Sequence, residues 1–342
     1  MIRRPPRSTQ GVSSAASDVY KRQSLLCVQP LFMAQGELNK HFNNKHLNKK
    51  PRNMARIRGR EYLKGKGSKI FENGEYSVDV LISPETLITE YISKLVQLPG
   101  ALQVLDFGNG TASMVSVKAV SGAPITGHKV SELREHIPNA DTRVAAIYRE
   151  EEIIIPSGAD FIRDGDEVFF ISAKANIKKV MSEIRPRDSK YKNIMIAGGG
   201  KIGRRLAKLL EDKFSVVKII EKSRKRGDYL SENLNSTLVL NGDATDQDFL
   251  IEEGIDSVDM FCSVTDSDEA NVMSSLLAKK LGAKKVLSLM NKQSFLDLIH
   301  QGEVDITVIP NEITVGVVLK NITKAKIERA HTFKRHELFR RI

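Results

Sequence analysis

The chain has 342 residues, 41% of them hydrophobic, no Trp and a formal net charge of +11. That length holds two or three domains of ordinary size, and the composition excludes wholesale disorder. Apolar runs such as 153–155 fall far short of the ~18 residues of a membrane-spanning helix, as does the stretch 216–220, which Lys218 interrupts, and Cys27 and Cys262 supply neither a disulfide framework nor a metal-ligand spacing.

The charge sits at the ends. Residues 1–53 carry a balance of +8 and residues 320–342 one of +6, which leaves the body mildly acidic at −3. A nucleic-acid surface is disfavoured, and no nucleic-acid-binding motif accompanies the basic ends. Residues 1–23 read MIRRPPRSTQGVSSAASDVYKRQ. They have no helical or strand period and resemble the conceptual translation of a sequencing-adapter tail. Residues 24–50 hold Asn, Lys and His clusters around one short apolar stretch, which Gln29 and Pro30 interrupt. Residues 1–50 are expected to be a non-native or disordered extension, and a secretory signal is disfavoured.

Residues 99–185 predict a small α/β domain. Short alternating runs at 103–107, 113–120, 142–148, 152–155 and 167–172 are separated by Gly- and Pro-containing turns. Helices are expected near 129–136 and 176–184. His128 and His136 lack further ligands at metal spacing and read as surface histidines, so no metal site is expected. Residues 186–190 form a polar linker.

The strongest chemical signal follows. Residues 191–203 read YKNIMIAGGGKIG, a buried-strand run leading directly into Gly198-x-Gly200-x-x-Gly203. Ile202, Leu206, Leu209 and Leu210 then recur at helical spacing. This is the logic of a dinucleotide site. Gly198 permits the tight turn, Gly199 adds freedom, and Gly200 lets the backbone approach a diphosphate. Gly203 lets the helix pack on the strand, and the helix start at Lys201 and Ile202 offers free N–H groups and a positive dipole end. A second strand, 215–220, ends at Glu221, 18 residues beyond Gly203. Its carboxylate suits ribose hydroxyls and opposes a 2′-phosphate, which favours NAD over NADP; Arg224 and Arg226 weaken that preference.

Further strands are expected at 237–240, 260–264, 286–290 and 306–309, with helices near 246–253, 270–281 and 292–301. Alternating βα units of this kind read as a doubly wound parallel sheet, a Rossmann-like α/β fold. Ligands then lie beyond the carboxyl ends of the strands, where Asp243, Thr265 and Asp266 fall. Asp243 suits the adenine end. Thr265 suits ribose or diphosphate, with helix N-capping as the competing role. Asp266 and Asp268 also suit the dipole of the following helix.

An internal repeat is visible at an offset of 226 residues: Val78-Asp79-Val80-Leu81-Ile82-Ser83-Pro84 against Val304-Asp305-Ile306-Thr307-Val308-Ile309-Pro310. An apolar helix-like segment follows each proline, at 87–96 and 313–322. Upstream, the stretch beginning at Arg56 matches the one beginning at Ser288. The expected organisation is a C-terminal remnant of a first nucleotide-binding domain at 51–98, the small domain at 99–185, a second nucleotide-binding domain at 186–322 and a basic tail at 323–342.

This order, with the words Leu98-Pro99-Gly100-Ala101-Leu102, Leu133-Arg134-Glu135-His136-Ile137-Pro138, Gly242-Asp243-Ala244 and Asp266-Ser267-Asp268-Glu269-Ala270-Asn271, resembles the RCK/KTN family. Within it, the resemblance is to the regulatory subunits of Trk-type potassium-uptake systems, from about Pro51 to Ile322. It implies a non-enzymatic sensor of NAD+ or NADH, or of ATP or ADP, peripheral on the cytoplasmic face of the plasma membrane. It also implies a homo-oligomer and a Trk-type potassium-transporting membrane subunit as partner. Two departures are expected: the first copy lacks its glycine turn and a second small domain is absent, so the chain reads as a fragment. The family's nucleotide-contacting arginine matches Arg56, and Ser288 replaces it in the second copy. The competing reading is an NAD-dependent oxidoreductase, which needs a substrate domain and a proton donor; Lys292 is the only conceivable donor past the later strands.

Overall fold

A computed structural model describes residues 54–57, 80–107, 110–150, 152–185, 190–295 and 303–322. The expectations for residues 1–50 and 323–342 lie outside these. The chain divides into two compact units, Met1–Pro84 and Glu85–Ile342.

In the first unit, β1 (Met54–Arg56) pairs in parallel with β2 (Val80–Ile82). Arg56 lies opposite Ile82, and the Ile57 N–H donates to the Ile82 carbonyl at 2.8 Å.

In the second unit, α1 continues from Pro84 at the boundary and runs Pro84–Gln97. Ile88, Ile92, Leu95 and Val96 recur at helical spacing and are buried. The small domain is a five-stranded antiparallel sheet. Its strands are β3 (Ala101–Phe107), β4 (Ala112–Lys118), β5 (Thr142–Arg149), β6 (Glu152–Ile154) and β7 (Glu167–Ala173), in the order β3-β4-β7-β5-β6. The helix expected over 129–136 is shorter: a 3₁₀ turn, Val130–Glu132, runs into one helical turn, α2 (Leu133–His136). α3 (Ile177–Ile184) buries Ile177, Val180, Met181 and Ile184 along one stripe. Arg149 grips the nearly buried Asp166 carboxylate with two bonds of 2.7 Å, tying the end of β5 to the turn before β7.

The remaining residues form a six-stranded parallel sheet. Its strands are β8 (Asn193–Ala197), β9 (Val216–Glu221), β10 (Leu238–Asn241), β11 (Met260–Ser263), β12 (Lys285–Leu289) and β13 (Ile306–Val308). The order is β10-β9-β8-β11-β12-β13. This is the doubly wound arrangement, with its reversal between β8 and β11. The helices are α4 (Lys201–Leu210), α5 (Arg224–Asn233), α6 (Gln247–Glu252), α7 (Asp268–Lys280) and α8 (Pro310–Ile322). β8 is apolar from Ile194 to Ala197 because both its faces are covered: Ile194 and Ile196 join one core, Met195 and Ala197 the other.

Several expectations change. α5 was not anticipated, because its sequence begins as the charge run Arg224-Lys225-Arg226; only Gly227 and Leu230 are buried on it. Of the helix expected over 292–301, a 3₁₀ turn at Gln293–Phe295 is described and residues 296–301 lie outside the described set. The pairing of Arg56 with Ser288 is overturned by register. Ser288 lies opposite Thr307 and Leu289 opposite Val308, while the Met290 N–H donates to the Val308 carbonyl. Under the 226-residue offset, Val308 matches Ile82, so Leu289 is the counterpart of Arg56 and Ala55 that of Ser288. A slip of one residue transfers a side chain to the opposite face, so the register decides the match.

Candidate nucleotide site

The glycine turn sits at the carboxyl end of β8, at the reversal of strand order. Gly198 has φ +104°, and a Cβ there would lie 2.9 Å from Thr265 Cγ2. Both facts demand glycine: the conformation is left-handed, and the turn is pressed against the chain leaving β11. At Gly199 a Cβ would meet Leu230 of α5 and stand 2.8 Å from Glu221 Oε2. Gly203 is buried where α4 crosses β8, and a Cβ there would overlap the Gly198 carbonyl. Gly200 differs from all three. It caps α4 with an extended backbone, and nothing lies within 4 Å of a Cβ built on it. One face of the turn is therefore open. The first N–H groups of α4, beginning at exposed Lys201 and half-buried Ile202, have no partners in the preceding turn of their own helix.

Glu221 ends β9 and is 6% exposed. Its Oε2 accepts the Gly199 N–H at 3.0 Å, its Oε1 accepts the Ser223 N–H at 2.8 Å, and Arg226 Nη1 lies 3.6 Å from Oε2. The carboxylate holds the glycine turn to the end of β9. On the other flank, Thr265 touches Gly198. The structure thus brings together Gly198, Gly199, Gly200, Lys201, Ile202, Gly203, Glu221 and Thr265.

Asp243 and Asp266 join the group less directly. Asp243 follows β10 and is held by Lys222 at 2.8 Å and by the N–H and hydroxyl of Thr245. The Lys222 bond and then those from Thr245 hold its carboxyl down to about 2, so it is an ionised acceptor at neutral pH. Asp266 is exposed, with no hydrogen bond or ion pair among the described residues. Asp268, expected to act on the helix dipole, is buried in the first turn of α7 and accepts the N–H groups of Asn291 and Lys292, both at 2.9 Å. Helix capping falls to Ser267, whose hydroxyl accepts the Ala270 N–H, and not to Thr265.

Asn271 was missed. It lies one turn into α7, wholly buried, and its side chain reaches both Thr265 and the end of β12. A signal existed in the sequence: Asn271, Ser274, Ser275 and Ala278 form a stripe at helical spacing, all buried. Small residues there let α7 approach the sheet, where an apolar face would have been expected. Cys262 of β11 is fully buried, and burial pushes its thiol up to about 12, which keeps it protonated at neutral pH.

Family comparisons agree with this anatomy. Residues 194–310 match the TrkA-N domain and residues 114–185 the TrkA-C domain. A Trk system potassium uptake protein TrkA from Vibrio alginolyticus is 46% identical over 285 residues, 83% of this chain and 62% of that protein. A Trk system potassium uptake protein trkA homolog 1 from Methanosarcina mazei is 33% identical over 279 residues, 81% of this chain and 67% of that protein. The chain belongs to the TrkA family. It spans 62% of the length of the Vibrio alginolyticus relative. Among solved structures, the GsuK RCK domain superposes with a TM-score of 0.53 at 17% identity, covering 77% of this chain and 54% of that one. The GsuK channel bound to NAD gives 0.54 at 15% identity, covering 78% and 46%. At such identities these likenesses show the fold alone. Among the described residues, no helix is long and apolar enough to cross a membrane.

Proposed function

We propose that this chain is a nucleotide-sensing regulatory module of a Trk-type potassium-uptake system. It binds NAD+ or NADH, with ATP or ADP as the other candidate ligands, and controls a potassium-transporting membrane subunit from the cytoplasmic face as a homo-oligomer. The observation that carries this reading is the open face at Gly200, flanked by Glu221 and Thr265, at the switch between β8 and β11. The α4 N-terminus favours an anionic diphosphate there. Glu221 retains lone pairs for ribose hydroxyls beyond the two N–H groups it accepts, and Asp243 offers an acceptor to an adenine amino group.

The site binds without turnover. Its polar groups are backbone N–H donors, the Thr265 hydroxyl, whose proton is held within the protein, and the carboxylates of Glu221 and Asp243. Among the described residues past the later strands, the conceivable donor, Lys292, is exposed and paired loosely with Glu269 at 3.9 Å. A bound nucleotide shifts such a protein only by binding one arrangement of its domains more tightly than another. The shared register of β1–β2 and β12–β13 supports reading residues 51–98 as the last third of another nucleotide domain.

The test is calorimetric titration of NAD+, NADH, ATP and ADP into the full chain and into Gly200→Asp, followed by incubation with NADH and a panel of carbonyl acceptors. Binding that disappears in the variant, with no enzyme-dependent loss of NADH absorbance, is expected. Unchanged affinity in the variant would remove the site. Sustained NADH consumption would favour an oxidoreductase.

A further inference from the structure

We propose that Asn271 fixes the direction of the Thr265 hydrogen bonds, making the β11 side of the crevice a reader of a sugar hydroxyl and not of a phosphate. The inference rests on the nucleotide reading above and names the second half of the ligand.

Thr265 flanks the glycine turn on one side as Glu221 flanks it on the other. A ligand with its adenine-side ribose at Glu221 and its diphosphate at Gly200 therefore extends toward Thr265. Thr265 has two donors. Its N–H donates to Asn271 Oδ1 at 2.8 Å. Its hydroxyl donates to the same oxygen at 2.7 Å, with the Ser267 carbonyl at 3.2 Å as the alternative acceptor. Either choice commits the single hydroxyl proton to the protein.

The amide orientation of Asn271 is fixed by its other end. Nδ2 donates to the Leu289 carbonyl at 2.9 Å and the Thr265 carbonyl at 3.2 Å. A flipped amide would set Oδ1 against two carbonyl oxygens and Nδ2 against an N–H donor. Asn271 is wholly buried, so bulk water offers no substitute partner. The neighbouring Ser263 hydroxyl lies 3.0 Å from Asn271 Oδ1 and 2.7 Å from the Ser274 hydroxyl, which gives it an outlet when Thr265 fills Oδ1.

Thr265 Oγ1 also receives the Ser267 N–H at 3.3 Å, and the half-exposed residue is left with acceptor capacity only. Phosphate oxygens near neutral pH accept; a ribose hydroxyl donates. The chemistry at this position fits a dinucleotide, whose second ribose follows the diphosphate, and disfavours the terminal phosphate of a nucleoside di- or triphosphate. Asn271 acts through Thr265 and is a positioning residue.

The test uses the full chain and three probes in calorimetry: ADP-ribose, ADP and ATP. Wild type is expected to bind ADP-ribose about fivefold more tightly than ADP, the factor carried by one neutral hydrogen bond. Thr265→Val should remove that advantage while leaving ADP within about twofold. Thr265→Ser, which keeps the hydroxyl, should restore it. Asn271→Ala removes the acceptor of the Thr265 N–H and leaves the hydroxyl proton only the longer Ser267 carbonyl contact, so both donors can turn to a phosphate and the ratio of the two affinities should fall toward one, with ADP no weaker. Thermal melts accompany each variant. A merely structural role would weaken ADP-ribose and ADP in parallel, and that result, or equal affinities in wild type, would overturn the proposal alone. Failure of all three probes to bind wild type would overturn the nucleotide reading and this inference with it.

Discussion

Gly203→Ala tests whether the close crossing of α4 over β8 is real. Gly203 lies inside a helix, and at an ordinary exposed helical position the change to Ala stabilises by about 1 kcal/mol. Here the added Cβ would overlap the Gly198 carbonyl oxygen and lie 3.0 Å from its carbon. Both atoms are backbone, so no side-chain rotation relieves the contact. α4 must retreat by roughly an ångström. Its buried face, Leu206, Ala207 and Leu210, is 0% exposed, so retreat opens a gap along the whole helix. Gaps of that size forfeit about a quarter to a half of each dispersion contact, and overpacking of this kind costs ~1–3 kcal/mol, occasionally more. The packing loss therefore cancels the propensity gain and in most of its range exceeds it, leaving a net destabilisation of up to about 2 kcal/mol. Urea denaturation of the full chain, followed by far-UV circular dichroism, measures it. Gly200→Ala is the control: a Cβ there meets nothing within 4 Å, so its urea midpoint should match wild type while nucleotide affinity falls. A Gly203→Ala chain more stable than wild type would refute the geometry of the crossing.

Other outcomes follow from the same contacts. Gly200→Asp should abolish nucleotide binding without unfolding the chain, because its carboxylate fills the open face and repels phosphate; a melting curve and a titration check both halves. Glu221→Ala should weaken NAD+ and ATP together by ~1.5–3 kcal/mol, since both lose bonds to a charged acceptor. Equal affinity of wild type for NADP+ and NAD+ would contradict that assignment. Burial raises the Asp305 carboxyl, but hydrogen bonds from Lys279 and Lys285 outweigh it and hold the group below its ordinary 3.8; bonds from Lys284 and the N–H groups of Lys192 and Asn193 do the same for buried Asp259. A depressed carboxyl stabilises the fold above the ordinary value and loses that contribution as pH falls below it. Asp259→Asn and Asp305→Asn should therefore be less stable than wild type near pH 7, with the difference shrinking as pH drops below about 4. A difference in urea midpoint that stays constant with pH would count against these ion pairs.

The local signals of the nucleotide domain were legible because they depend on neighbours in sequence. Strands buried on both faces must be continuously apolar, as in residues 194–197 of β8, and a turn with φ +104° at Gly198 must be glycine. Glu221 was readable for the same reason, as the last residue of the next strand. α5 was hidden because it buries only two positions, too few to mark a helical period.

What only the tertiary structure decided involves partners far apart in the chain or a register that sequence leaves free. His128 and His136 stand with ring centroids 5.8 Å apart, each bonded to a glutamate, although spacing alone made each a solitary surface residue. The counterpart of Arg56 moved from Ser288 to Leu289 because strand pairing, not word similarity, sets which side chains share a face. Asp268 became a tether for the loop after β12, and Asn271 a brace for Thr265, only once α7 lay against the sheet. The sequence by itself determined where the backbone is left open at Gly200, since that depends on missing side chains. Which hydrogen bonds remain for the rest of the ligand depends on where buried partners direct their protons, and that is a property of the packed fold.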